Sequence, residues 1–267
     1  MLLLAAQQSF SPEPEPAGAP VAPRSSRAST AGPGPPLTVD LVREERFGDG
    51  NSWVFPKAMT FTDQELAELN ALPQYSEKQH EWLRRHGAVP PSLLHAKVVI
   101  RGNADRPVRV VGMRAEADCG PPLTGTYFES PGGGDDDSVV IGFDLDSPDP
   151  RGQEIVDSIE WRGDYFQKKT ISLERDEEIT VQIVGVTEKH YCEFVVVMEV
   201  LSDAALVRQR VDNHGRPFKV SAVVAHDDSG IPRVDYPAYG ALYVGGLASP
   251  GTKGKWTRRD PRAYSGP

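Results

Sequence analysis

Between Tyr191 and Leu201 the chain reads Y-C-E-F-V-V-V-M-E-V-L. At a repeat of two, Cys192, Phe194, Val196, Met198 and Val200 fall on one face. Val195, Val197 and Leu201 fall on the other, interrupted by Glu193 and Glu199. A segment with one face wholly apolar and the other largely so must be covered from both sides, which makes it a central strand. Such a strand needs a sheet around it and a second layer over it. The sequence after Pro91 supplies the material, since its apolar residues recur at two rather than at three and four. Further strands are expected at 94–101, 107–116, 123–128, 138–144, 168–173, 178–187, 204–211 and 217–224. Gly102-Asn103-Ala104-Asp105, Pro131-Gly132-Gly133-Gly134, Ser202-Asp203 and Asn213-His214-Gly215 punctuate them as turns. Eight or nine short strands with no helix between them predict a mainly β fold. The expected form is an antiparallel β-sandwich, Ig-like or jelly-roll-like, with an antiparallel barrel as the alternative.

Two short helices precede the strands. In Phe61-Thr62-Asp63-Gln64-Glu65-Leu66, Thr62 can cap the Glu65 N–H while Glu65 reaches back to the Thr62 N–H, and Phe61 and Leu66 occupy the two positions of a hydrophobic staple. Pro73 ends this helix. A second begins at Ser76, carries Trp82 and Leu83, and stops at Gly87.

Composition divides the chain in three. Residues 11–36 hold eight prolines and no aromatic residue. Such a stretch cannot bury enough apolar surface to offset its ordering entropy. Residues 1–44 are therefore expected to be an apolar stub and disordered Pro/Ala-rich linker. Residues 45–225 are the expected folded domain, and 226–267 an irregular Gly/Pro/Tyr-rich basic tail. The net charge of −9 is concentrated, since residues 130–160 carry nine acidic side chains against Arg151 alone. An acidic body lacks the basic footprint that nucleic acid requires. The opening Met-Leu-Leu-Leu-Ala-Ala is too short for a signal core or a membrane span. Its place before a linker and a domain is nevertheless the order of a membrane-anchored ectodomain, which leads us to expect a longer N-terminal anchor.

Cys119 lies in D-C-G-P-P, placed at a loop edge, and Cys192 on the apolar face of the central strand. The pair is expected to form one disulfide, with Cys119 brought to the sheet by a docked loop, and this points outside the reducing cytosol. Two separate free thiols in a cytosolic scaffold or regulatory partner are the alternative.

Candidate chemistry is sparse. Asp144, Asp146 and Asp149 could supply oxygens to calcium, although the spacing is not that of an EF-hand. Asp135, Asp136 and Asp137 sit across the 138–144 strand, about 20 Å away at 3.3 Å per residue, and cannot share that ion. A hydrolase or carbohydrate-active enzyme using the acidic residues near 144–149 is the alternative function, and it needs two carboxylates flanking a cleft. Trp161, Tyr165 and Phe166 form an aromatic cluster, either a recognition edge or core anchors. No zinc spacing, nucleophile elbow or phosphate loop occurs in the sequence.

The segments F-D-L-D-S-P (143–148), G-D-Y-F-Q-K-K-T-I-S-L (163–173) and E-K-H-Y-C-E-F (188–194) resemble a group of uncharacterised actinobacterial membrane-anchored or secreted β-domain proteins. W-V-F-P (53–56), D-Q-E-L-A-E-L-N (63–70) and R-P-F-K-V-S-A (216–222) fit the same pattern. The resemblance implies a short anchor or signal, a variable linker and one β-rich domain with a cysteine pair. It implies no catalytic residue. The expectation is a non-enzymatic extracytoplasmic module that binds a protein or cell-envelope ligand near a membrane, with no cofactor other than calcium at the aspartates.

Overall fold

The computed structural model describes residues 34–46, 51–130, 140–156, 160–227, 232–246, 249 and 251–266. The N-terminal stub, most of the linker, Pro131–Gly134 and Asp135–Asp137 lie outside the described residues. The elements run in the order β1 (Leu37–Glu45), β2 (Trp53–Phe55), α1 (Asp63–Ala71), α2 (Glu77–Arg85), β3 (Leu93–Gly102), β4 (Val108–Gly120), β5 (Thr126–Glu129), β6 (Val140–Asp144), β7 (Gln153–Val156) and β8 (Glu160–Asp164). They continue with β9 (Ile171–Leu173), β10 (Glu178–Val186), β11 (Tyr191–Ser202), β12 (Ala205–Val211), β13 (Phe218–Ser221), β14 (Ala225–Asp227), β15 (Pro232–Val234), β16 (Ala241–Gly246) and β17 (Gly254–Arg259).

The protein is mainly β, with several open sheets rather than a closed barrel. One sheet runs β1-β3-β10-β6-β7-β8 and a second runs β12-β11-β4-β9, with β13 also on β11. Alternation turns Leu94, Ala96, Val98 and Ile100 of β3 inward and leaves His95, Lys97, Val99 and Arg101 half-buried. The inward rows of both sheets meet in one core: Val98, Ile183 and Phe143 come from the first, and Val110, Val196 and Met198 from the second. Each such side chain contributes about 1.5–3 kcal/mol through burial. The segment that opened the sequence reading is central as expected, since β11 pairs with β4 on one side and with β12 and β13 on the other.

Two pairings depart from the antiparallel expectation. β6 runs parallel to β10, and β5 parallel to β16. Each joins strands far apart in sequence, where no tight turn fixes direction.

The domain limits also change. β1 falls inside the stretch expected to be linker and pairs along its length with β3. The expected irregular tail supplies β16 and β17, which complete a four-stranded sheet, β17-β16-β5-β2. One face of that sheet, with Phe55, Phe128 and Tyr243, packs with Phe61, Leu69 and Trp82 from the helical region. Its other face carries Val54, Tyr127, Leu242 and Val244 together with Tyr236 and Tyr239. The sheet is fastened to α1 by Asn70, whose Nδ2 donates to the Trp256 carbonyl at 3.1 Å and whose Oδ1 accepts the Trp256 N–H at 2.7 Å. The helix starts are as expected. Thr62 forms the capping box with Glu65, and Ser76 accepts the Gln79 N–H.

Cys119 is not in a docked loop. It lies in β4, directly opposite Cys192 of β11, and the two form a disulfide with Cα atoms 4.2 Å apart. β4 runs four residues beyond its expected end, with Glu116–Cys119 exposed, so the apolar pattern faded before the strand did. Both cysteines are accounted for, which leaves no free thiol. The bond suggests an oxidising, extracytoplasmic environment. Among the described residues, no helix is long and apolar enough to cross a membrane.

Candidate binding groove between α2 and the β12–β13 loop

β12 and β13 lie on one line along β11. Val211 faces Val196 and Phe218 faces Phe194, so residues 212–217 are thrown out of the sheet opposite the single residue Val195. The excursion closes tightly. Asn213 N–H donates to the Arg216 carbonyl at 2.8 Å, and Arg216 N–H returns to the Asn213 carbonyl at 3.2 Å. His214 and Gly215 between them have φ of 53° and 82°. Two left-handed central residues are what a type I′ turn requires, and glycine in the second place accommodates it.

The turn reaches β1. Asn213 Nδ2 donates to Glu44 Oε1 at 2.7 Å, and His214 Nε2 to the Val42 carbonyl at 3.1 Å. Helix α2 forms the opposite wall. Its Trp82 and Leu83 face the aromatic layer, which leaves Glu77, Glu81, Arg84 and Arg85 toward the gap. The result is a groove of about 430 Å³ with Val42, Ala88, Pro90 and Pro217 among its lining residues.

Charge in this groove is mixed and leans positive. Arg43, Arg84, Arg85, Arg216 and Lys219 face Glu44, Glu77 and Glu81. Arg43 pairs with Glu45, Arg84 with Glu77, and Lys219 with Glu193. Among the described residues Arg85 and Arg216 have no ion-pair partner, so two guanidinium groups remain open to a ligand. Glu44 sits deeper, with Arg84 Nη1 3.9 Å from its Oε2. Burial pushes the Glu44 carboxyl above the usual range, against the opposing pull of Arg84, Arg46 and the Asn213 amide. Arg84 Nη1 is itself buried without a hydrogen-bond acceptor. Open guanidinium groups over a proline-containing floor suit a carboxylate or phosphate bound in bidentate fashion.

The sequence candidates go elsewhere. Asp146 is committed to the turn before β11. Its Oδ1 accepts from His190 Nδ1 at 2.7 Å and Thr187 Oγ1 at 2.8 Å, and its Oδ2 accepts the Glu188 N–H at 2.7 Å. Asp144 Oδ1 accepts the Asp146 N–H, and Asp149 pairs with Arg151 at 2.7 Å. Among the described residues no three His, Cys, Asp or Glu side chains converge as metal ligands, and Asp144, Asp146 and Asp149 are no exception. Trp161 lies against Gly142 of β6, where a Cβ would come within 2.8 Å of its ring. Tyr165 and Phe166 form a short 3₁₀ turn, pack edge-to-face at 5.0 Å, and rest partly buried on the main core. Tyr165 and Phe166 thus rest on the core, and Trp161 is half-buried on β8.

The Asn213-His214-Gly215 turn is legible in the sequence, whereas the groove is not. Its walls come from three segments, of which the turn lies more than a hundred residues from the other two, and a turn signal does not say what the turn leans on. Comparison of the chain with protein-family models and with curated proteins returns no match.

Proposed function

We propose that this protein is a non-enzymatic binding module that works outside the cytosol and takes an anionic ligand of the cell envelope, or an acidic segment of a protein there, in the α2/β12–β13 groove. The observation that carries the reading is the pair of uncommitted arginines, Arg85 and Arg216, facing one cleft of an acidic protein. The disulfide supports the compartment. The shared core of the two large sheets supports a two-layer sandwich of Ig-like or jelly-roll-like kind, modified by the parallel β6–β10 pairing. The Pro/Ala-rich linker supports tethering near a membrane. Commitment of Asp144, Asp146 and Asp149 to hydrogen bonds and an ion pair argues against an acidic hydrolase in that loop.

The test is co-sedimentation of the full chain with isolated cell-envelope material, set against the double variant Arg85→Glu/Arg216→Glu. We expect binding that weakens with salt and falls at least tenfold in the variant. Equal binding by a correctly folded variant would refute the groove. Protection of the protein from added protease in intact cells would refute the compartment.

A further inference from the structure

Glu129 is a buried acidic side chain with no ion-pair partner among the described residues. Alternation along β5 sends Thr126 and Phe128 toward the helical side, and Tyr127 and Glu129 into the opposite layer. There Glu129 is 8% exposed. Its neighbours in that layer are Val54 from β2, Leu242 and Val244 from β16, and Tyr236 and Tyr239 from the segment Asp235–Gly240. Tyr264, near the C-terminus, packs edge-to-face on Tyr236 with ring centres 4.8 Å apart.

The charged and titratable groups around it are nearly all phenols. Burial pushes the Glu129 carboxyl above the usual range, against the smaller pull of the nearby Tyr127 and Tyr236 hydroxyls, and Tyr239 and Tyr264 feel its charge. Asp235 acts on Tyr239, and Arg259 acts on Tyr264. Glu129 Oε2 is buried without a hydrogen-bond partner. A carboxylate in such a place has lost its water and gained no counter-ion, so the site favours the neutral acid.

The segment carrying Tyr236 and Tyr239 is a strap. It is pinned by backbone bonds from Asp235 N to the Val224 carbonyl and from Gly240 N to the Thr124 carbonyl, and by the Val224 N–H donated to Tyr239 Oη at 3.0 Å. Between those pins it meets β5 through tyrosine rings in the layer that holds Glu129. Tyr127 is 5.0 Å from Tyr239 and 6.2 Å from Tyr236.

We propose that Glu129 is a proton-controlled latch: as the neutral acid it holds the Asp235–Gly240 strap and Tyr264 against β5, and as the carboxylate it loosens them. The device lies apart from the α2 groove, and its truth does not depend on ligand binding there.

The experiment is amide hydrogen exchange of the full chain across the acid-to-alkaline range, with Glu129→Gln as the permanently neutral isostere. The reporters are the amides of Ala238, Tyr239 and Tyr264, each of which is hydrogen-bonded. Opening exposes Glu129 to water and returns it to an ordinary carboxyl. Strap protection in the wild type, relative to the variant, should therefore fall by up to about tenfold per pH unit above about pH 4.3, and level off once the folded protein has ionised. β11 amides should show no such ratio. An unchanging ratio, or one that rises with pH, overturns the latch. A carboxyl-carbon NMR titration of Glu129 in the wild type gives a second readout that does not need the variant. A midpoint above the ordinary glutamate range supports the latch, and one at or below it overturns the proposal.

Discussion

Acid should unfold this protein earlier than its carboxylates alone would, and His80 is the reason. His80 lies on the inner side of α2, 5% exposed, with its ring centre 5.7 Å from Trp53. Its Nε2 lies 2.7 Å from Asn51 Oδ1, to which it can only donate, and its Nδ1 lies 4.0 Å from the exposed Glu77 carboxylate. Burial, then Arg46 and Arg84, push its pKa from 6.5 down to about 4. The unfolded chain binds a proton near pH 6.5, whereas the folded chain refuses it until about pH 4. Protons therefore favour the unfolded state in that window, and stability rises with pH across it. At about 1.4 kcal/mol per pH unit, the group alone removes about 3 kcal/mol between those limits, a large share of a domain's stability. Glu129 acts with the opposite sign, because a raised carboxyl pKa makes protons favour the folded state above about pH 4.3. The two are separated by substitution. His80→Gln keeps a donor for Asn51 and cannot be protonated. Urea unfolding of wild type and variant from about pH 7 to about pH 4 should show the stability difference shifting by about 3 kcal/mol in favour of the variant as pH falls. Parallel pH profiles for the two proteins would refute the reasoning.

Other expectations follow from the same geometry. Reducing the Cys119–Cys192 bond, or replacing both residues with alanine, opens a 73-residue loop and should lower stability by about 4 kcal/mol in the chain-entropy model, read as a drop in the urea midpoint. Asp146→Ala removes the acceptor of the His190 ring and the Glu188 N–H and one of two acceptors open to the Thr187 hydroxyl, and should cost about 2–3 kcal/mol by thermal unfolding. Burial raises the Asp146 carboxyl, but the Glu188 N–H, His190 and Thr187 together outweigh it and hold the group below the usual range. Its contribution is therefore full above about pH 4 and is lost as pH falls through the lowered value, a loss that Asp146→Asn should remove. Asn70→Ala frees two backbone groups of β17 and should destabilise by about 1–3 kcal/mol, with protection lost first at the Trp256 amide. Calcium or a chelator should leave Tm unchanged, because Asp144, Asp146 and Asp149 are already committed to protein partners.

What could be read from residues alone was local. β3, β10 and β11 fall within one residue of the expected limits, because each has a strong two-residue repeat and turn residues at its ends. Both helix starts were legible for the same kind of reason, since a cap and its bonding partner lie within three residues of each other. β1, in contrast, has apolar residues on both sides of a bulge between Val39 and Leu41 and follows a proline-rich run, so its repeat is broken where it would be recognised. β16 and β17 are rich in glycine and read as tail, although Tyr243 and Trp256 are buried within their sheet.

A β protein with a central strand at 191–201 and two capped helices at its entry is legible from residues alone, since periodicity and capping are set by neighbours along the chain. The sequence also identifies the only two cysteines able to pair. The tertiary structure alone decided that Cys119 faces Cys192 across adjacent strands, that β6 and β5 join their partners in parallel, and that the C-terminal segment closes a third sheet. It alone brought Glu44, Arg85 and Arg216 to one groove, and set Glu129 among tyrosines from distant segments. These are contacts between residues tens to well over a hundred positions apart. No local pattern encodes them, because the packing free energy that selects them belongs to the whole core.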